Sequence, residues 1–179
     1  MARVHSDGLA RCTWLNDDEL YIRYHDEEWG RDITGDDAFF ERLSLEGFQA
    51  GLSWLTILKR RDGFRSAFKN FEITKVANMT EKDVVRLLND EGIIRHRGKI
   101  EAVINNAQKT LELDGSLEAL IRSFTPRHDR SGMTLSPEST ALSKHLRKLG
   151  FKFVGPTTMH AMMQAVGLVP DHESDCFLG

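Results

Sequence analysis

The chain of 179 residues has little that could brace it covalently or seat it in a membrane. Two cysteines are too few for a disulfide framework, and a reducing cytoplasm is the expected compartment. No apolar run approaches the ~20 residues that a spanning helix needs, and the first residues show no signal-peptide pattern. No convincing period-2 alternation occurs, so sheet architectures are not expected. Internal repeats and low-complexity tracts are absent too. What remains is 40% hydrophobic and 28% charged, the composition of a globular protein with one domain or two intimate subdomains.

The net charge of −3 is unevenly spread. Residues 1–50 hold 5 Lys/Arg against 12 Asp/Glu, whereas residues 51–179 hold 19 against 15. The positive balance therefore falls in the half that contains the stretch Ser136 to Cys176. There, Ser136 caps and Pro137 opens a predicted helix with Leu142, Leu146 and Leu149 at helical spacing, and Gly150 ends it. A tight turn, Phe151-Lys152-Phe153-Val154-Gly155, leads to a second predicted helix from Pro156-Thr157-Thr158 towards Gly167. Such an arrangement presents backbone amides and a helix N-terminus to one phosphate, without reading sequence. An ordinary helical hairpin has the same glycine spacing.

Helical periodicity dominates the middle. Asp36-Asp37 is expected to cap a helix carrying Phe39, Phe40, Leu43 and Leu45. Ser53 is expected to cap another with Leu55, Ile57, Leu58, Phe64 and Phe68, interrupted near Gly63. Further helices are expected from Thr80, with Val84, Val85, Leu87 and Leu88, and along Ile100, Val103, Ile104, Ala107 and Leu111. Another follows Asp114-Gly115-Ser116 and ends near Phe124; residues 125–135 read as a polar loop. The first forty residues are the least regular, with two tyrosines, a histidine and a tryptophan between Leu20 and Gly30. The reading is all-α. Glu46, set among apolar and small residues, is either solvated or buried for a purpose, and periodicity does not choose.

Five motifs in order carry a resemblance. They are Cys12-x-Trp14; Tyr21-Ile22-x-Tyr24-His25-Asp26-x-Glu28-Trp29-Gly30; Leu45-Glu46-Gly47-x-Gln49-Ala50-Gly51-Leu52-Ser53-Trp54; Gly92 to Ile100; and Gly150 to Gly155. Together, from Arg11 to Cys176, the chain resembles the bacterial 3-methyladenine DNA glycosylase I family. It departs from that pattern at His160, where an aromatic is common, and at Pro170, where an asparagine is common.

The resemblance implies a helix-hairpin-helix glycosylase fold that flips a base out of DNA and hydrolyses its N-glycosidic bond. It implies a structural zinc on Cys12, His25, His172 and Cys176, and no organic cofactor; four protein ligands would leave no open position for catalysis. Glu46 would accept a hydrogen bond from the flipped base, with Tyr24 and Trp54 at the reacting base and Trp14, Tyr21 and Trp29 completing the pocket. Leu52, with Gln49 and Gly51, would fill the gap in the duplex. Gly150, Lys152, Val154, Gly155 and Thr157 would hold the DNA backbone. The expected layout is a single unit, with residues 36–165 as a helical part and 1–35 plus 166–179 as a terminal zinc-binding part. The expected partner is double-stranded DNA with alkylated bases, bound by a monomer without any membrane. Asp171 is expected to support the zinc ligands at least as strongly as to act in catalysis. Arg95, Arg97 and Lys99 are balanced between touching DNA and solvating a helix start. The competing class is a non-catalytic, zinc-stabilised helical DNA-binding module.

Overall fold

Small polar caps decide where most helices of this chain begin. In the computed structural model, which describes residues 1–179, Asp18 accepts from the Leu20 amide at the start of α1 (Glu19–Glu27), and Ser53 from Thr56 at α3 (Trp54–Lys59). Reciprocal caps open α6 (Glu81–Leu88), through Thr80 and Asp83, and α9 (Pro137–Lys148), through Ser136 and Ser139. His96 and Ser116 cap α7 (Arg97–Leu111) and α8 (Leu117–Arg122). The remaining helices are α2 (Asp36–Gln49), α4 (Arg61–Ala67), α5 (Ile73–Ala77) and α10 (Pro156–Ala165). Two two-residue strands, β1 (Arg3–Val4) and β2 (Ala10–Arg11), pair antiparallel and are the only departure from the all-α expectation. No helix is long and apolar enough to cross a membrane.

Several local expectations are corrected. The aromatic stretch after Leu20 is a regular helix, α1, hidden because its buried residues Tyr24 and His25 are not aliphatic. Gly35, not Asp36-Asp37, occupies the cap of α2. The two aspartates cap other helices instead: Asp36 accepts from the Glu118 amide (2.9 Å) and Asp37 from Ile73 (3.0 Å). The interruption after α3 falls at Arg60, and Gly63 lies inside α4. Gly63 is needed for packing, since a Cβ there would stand 2.3 Å from the Gly92 carbonyl oxygen. Leu111, Leu149 and Val85 are exposed rather than part of the apolar faces.

The core gathers around α2. Phe39, Phe40, Leu43, Leu45 and Phe48 are all buried along it, and α10, α8, α7 and α5 pack against it. Each such phenylalanine contributes ~1.5–3 kcal/mol by leaving water. That burial keeps α2 in the centre, with its C-terminal end pointed at the site described below.

The connection between α9 and α10 is set from outside. Gly150 takes a left-handed conformation (φ +90°), in which an added Cβ would meet the Lys109 side chain at 3.1 Å. Asn106 of α7 accepts from the Lys152 amide (2.8 Å) and donates to its carbonyl (2.9 Å), while Asn105 donates to the Gly150 carbonyl (2.9 Å). The two ends of the chain also meet. The Phe177 amide donates to the Ala10 carbonyl (2.8 Å), and Glu173 accepts from both the amide and the hydroxyl of Thr13.

Candidate functional site

Helical spacing on α1 puts Tyr21 one turn from both Tyr24 and His25; the two tyrosines line the cavity, whereas the His25 ring reaches Cys176. Trp14, before α1, and Trp29, after it, add their rings to the tyrosines. Trp54 enters from the start of α3. The rings meet tilted or edge-on, Trp14 to Tyr21 at 5.1 Å, Trp14 to Trp29 at 5.0 Å and Tyr24 to Trp54 at 5.5 Å between centroids. Together they enclose a cavity of about 230 Å³, closed by Glu46 and Gln49 of α2, Ala161 and Gln164 of α10, and Asp171. This is below the ~300–1,000 Å³ of ordinary small-molecule sites, and its flat aromatic walls suit one planar ring system. Sequence reasoning missed Ala161 and Gln164, because nothing in their local pattern distinguishes them from other positions on α10.

Of the two alternatives for Glu46, solvated or buried, the structure shows the buried one. The residue is 4% exposed, and no hydrogen bond stabilises its carboxylate. Burial pushes its pKa up to about 7, and the Arg42 guanidinium, 3.9 Å away, pulls the other way. A buried carboxylate without a hydrogen bond is costly to keep and has room to accept from a donor. The indole nitrogen of Trp54 is likewise buried without a partner.

The cavity opens onto a groove of about 240 Å³ that shares Glu46, Gln49 and Ala161 with it. Along the groove lie Gly51 and Leu52, the latter exposed, and at its far end Thr157 and Thr158 in the first turn of α10. Gly155, Thr157 and Thr158 make no amide hydrogen bond to the rest of the chain, as expected of a helix start. The largest cavity, about 740 Å³, lies under residues 126–131; it has no Trp, Tyr or Phe and shares only Asp171 with the aromatic pocket.

The four residues expected to bind metal do come together. The ligand atoms of Cys12, His25, His172 and Cys176 lie within 4.8 Å of one another. Cys176 Sγ is 3.5 Å from His25 Nε2 and 3.8 Å from His172 Nδ1, and Cys12 Sγ is 3.6 Å from His172 Nδ1. A tetrahedral ion with ~2.3 Å bonds to sulfur and ~2.0 Å to nitrogen needs separations of this size. The opposite ring nitrogens are already engaged, His25 Nδ1 with Asp26 (2.7 Å) and His172 Nε2 with the Trp29 carbonyl (3.3 Å), which leaves the inner nitrogens as acceptors. Burial pushes the Cys12 thiol up to about 12, which disfavours the thiolate, and a cation held between the two sulfurs would reverse that. The residues fit a closed Cys2His2 ion.

Asp171 does not support those ligands. Its carboxylate accepts from Gln164 (2.7 Å) and from the Gly132 amide, and the groups that orient the histidines are the Asp26 carboxylate and the Trp29 carbonyl. Lys99 is not free for DNA: it is only 7% exposed, with its ammonium on the Phe48 and Ala50 carbonyls. Arg97 is paired with Glu81 and Glu101, while Arg95 is exposed. His160 is fully buried beside the Ser136 hydroxyl (3.2 Å). Arg42 is the largest omission from the sequence reading; its one available signal was its place four residues before Glu46, one turn away on the same face.

In its backbone the chain falls among helical DNA glycosylases: it matches a crystal structure of 3-methyladenine DNA glycosylase I with a TM-score of 0.90 and 46% identity, covering 93% of this chain and 98% of that one. A variant of the same enzyme type, solved in complex with 3-methyladenine, matches with a TM-score of 0.87 and 37% identity over 93% of this chain and 96% of that one. Among curated proteins, DNA-3-methyladenine glycosylase 1 of Escherichia coli (strain K12) is 49% identical, covering 94% of this chain and 96% of its own length. The family model for methyladenine glycosylase matches residues 14–179, and the chain belongs to that family.

Proposed function

We propose that this chain is a monofunctional DNA glycosylase that hydrolyses the N-glycosidic bond of 3-methyladenine in alkylated double-stranded DNA, leaving an abasic site. The observation that carries the reading is Glu46, a buried carboxylate without a hydrogen-bond donor in the wall of an aromatic cavity sized for one base. The target base must leave the stack, at a cost of a few kcal/mol. Stacking on Tyr24, Trp54 and the Trp14–Tyr21–Trp29 group offsets this by ~1–3 kcal/mol. Glu46 then accepts a hydrogen bond from the exocyclic amine of a base that is cationic while attached to the sugar. Leu52, at the exposed tip between α2 and α3, fills the space left in the duplex, with Gln49 and Gly51 shaping its approach.

The α9–α10 connection acts as a helix-hairpin-helix element on the DNA backbone. A phosphate takes the unbonded amides at Gly155, Thr157 and Thr158, aided by the α10 dipole. The Lys152 amide is already given to Asn106, so that residue offers its side chain. Val154 is buried and anchors the turn, and Gly150 permits it.

Hydrolysis breaks the bond between C1′ of the sugar and N9 of the base. The electron pair stays on N9 and neutralises the base, so the leaving group needs no proton, and water adds at C1′ with loss of a proton to solvent. General acid–base catalysis, worth ~10²–10⁴-fold elsewhere, can therefore be spared on the leaving-group side. Asp171 steadies Gln164 in the pocket wall. Cys12, His25, His172 and Cys176 would hold a zinc ion whose role is structural, tying segments 1–35 and 166–179 to the helical body 36–165. Thiolate ligands suit a reducing cytoplasm, and the site is complete within one chain, in keeping with a monomer.

Incubation with methylated DNA tests the reading. Free 3-methyladenine is expected in the supernatant, and DNA binding without base release would support the non-catalytic module instead. Glycosylases that also cut the strand form a Schiff base through a lysine, and Gly155 is followed here by Pro156-Thr157-Thr158. Borohydride is therefore expected to trap no enzyme–DNA adduct; a trapped species would overturn the monofunctional assignment.

A further inference from the structure

Arg42 stands one helical turn before Glu46 on α2 but does not line the cavity. It is packed behind two of the walls, its guanidinium carbon 5.5 Å from the Tyr24 ring centre and 5.0 Å from that of Trp54. Its Nη1 donates to the Tyr24 hydroxyl at 2.9 Å and lies 3.9 Å from Glu46 Oε1. The other charges around it are largely committed. Glu28 of α1 is paired with Arg61 of α4, and Glu41 of α2 with Arg65 of α4. On the cavity side the remaining ionisable groups are Tyr21 and Asp171, and Asp171 is occupied by Gln164 and Gly132.

A guanidinium has donors only. The Tyr24 oxygen must therefore accept from Arg42, which leaves the hydroxyl's own proton free to point elsewhere. Glu46 is purely an acceptor when ionised and becomes a donor when protonated. We propose that Arg42 is a positioning residue that sets the hydrogen-bond polarity of the pocket, holding Glu46 as acceptor and Tyr24 as donor, and thereby selects adenine-type over guanine-type methylated bases. The inference rests on the pocket's being the site of 3-methyladenine removal. An adenine-type edge places an amine donor beside a ring-nitrogen acceptor and satisfies both groups. A guanine-type edge places a carbonyl where the amine would be, so its oxygen faces the Glu46 carboxylate with no proton between them. Rejection of this kind, which leaves buried polar groups unpaired, is the strong form of discrimination. Arg42 is the one charge that opposes the upward push of burial on Glu46. Two aromatic rings keep its own positive charge off the cationic base.

The test uses the intact protein and the variants Arg42→Met and Arg42→Lys. Titration of the side-chain carboxyl carbons by NMR, with Glu46 assigned from its absence in Glu46→Gln, needs no DNA. Loss of the guanidinium is expected to raise the Glu46 midpoint by roughly one to three pH units, and Arg42→Lys to leave it near wild type. In single-turnover excision the acid limb of the pH profile should move with that midpoint. Arg42→Met should then be slower by at least about tenfold below the wild-type midpoint and recover in alkali, whereas a packing defect would lower the rate equally at every pH. The ratio of 3-methyladenine to 3-methylguanine released from methylated DNA should fall in Arg42→Met and return in Arg42→Lys. An unmoved Glu46 midpoint, or an unchanged ratio, would overturn the proposal. Wild-type protein that released no base would instead overturn the glycosylase reading, while the Glu46 titration would still report on Arg42.

Discussion

Lys99 Nζ donates to the carbonyl oxygen of Ala50 at 2.6 Å, and also to that of Phe48 at 2.8 Å. The last turn of α2 contains no basic residue of its own, so α7 supplies the cation that its C-terminal carbonyls favour. The same contact fixes the start of the segment that carries Gln49, Gly51 and Leu52.

Removing that ammonium should loosen the segment. Lys99→Met leaves the Phe48 carbonyl buried without a donor, a loss of ~1.5–3 kcal/mol for bonds to a charged group. Thermal unfolding should shift down accordingly. Single-turnover excision should fall more than affinity for free 3-methyladenine, because Gln49 is the one pocket-lining residue in that segment. Equal losses in both would show that Lys99 serves the whole pocket rather than the exposed tip.

Metal analysis of the purified protein should find one zinc per chain. Cys176→Ser should lower stability sharply, since structural zinc in small domains is worth ~10–16 kcal/mol, as much as the ~5–15 kcal/mol that separates folded from unfolded protein. Chelation should destabilise the wild type and leave an already metal-free variant unchanged. Full zinc occupancy in a Cys12→Ser, Cys176→Ser double variant would rule out this site.

Glu46→Gln keeps the shape of the side chain and removes its charge. Excision of 3-methyladenine should fall by roughly ten- to a few-hundred-fold, from the ~1.5–3 kcal/mol of a charge-assisted bond, while binding to DNA with an abasic analogue should hardly change. Equal excision rates would end the recognition role.

The same variant predicts a pH dependence of stability. Folded Glu46 titrates near 7 and an unperturbed glutamate at 4.5, so between these values the folded state holds more protons. Stability contributed by this residue therefore falls as pH rises through that window, by about 3 kcal/mol in all, and is constant above it. Glu46→Gln should be more stable than wild type at pH 8, with the difference vanishing below pH 4.5 as a glutamate would be protonated in both states. A difference that does not depend on pH would mean that Glu46 is solvated.

Gly63→Ala tests the packing of α4. The added methyl group would stand 2.3 Å from a backbone oxygen, that of Gly92, which no side-chain rotation can relieve. A loss of ~1–3 kcal/mol is expected from overpacking. Gly115→Ala, where no atom lies within 4 Å, is the control for crowding, though its φ of +112° carries a backbone penalty. An unchanged melting temperature for Gly63→Ala would remove the crowding argument.

The amino-acid sequence by itself determined the helical class, the starts of several helices and the family, and through that family the four residues that cluster as Cys12, His25, His172 and Cys176. These rest on short-range chemistry: Ser53, Thr80, Ser116 and Ser136 cap helices through atoms two or three residues away, and the motifs around Tyr21, Glu46 and Gly150 stand in contiguous strings. Tertiary structure decided the rest. Asp36 and Asp37 look like a local cap and serve two distant helices, because their free oxygens meet Glu118 and Ile73 only after folding. Lys99 reads as part of a basic run, yet ends inside the protein on carbonyls of another helix. Glu46 could be placed on a surface or in a pocket by periodicity alone. Its burial and its raised pKa exist only because α1, α3 and α10 bring Tyr24, Trp54 and Ala161 around it, and desolvation depends on what surrounds a charge in space rather than on its neighbours in the chain.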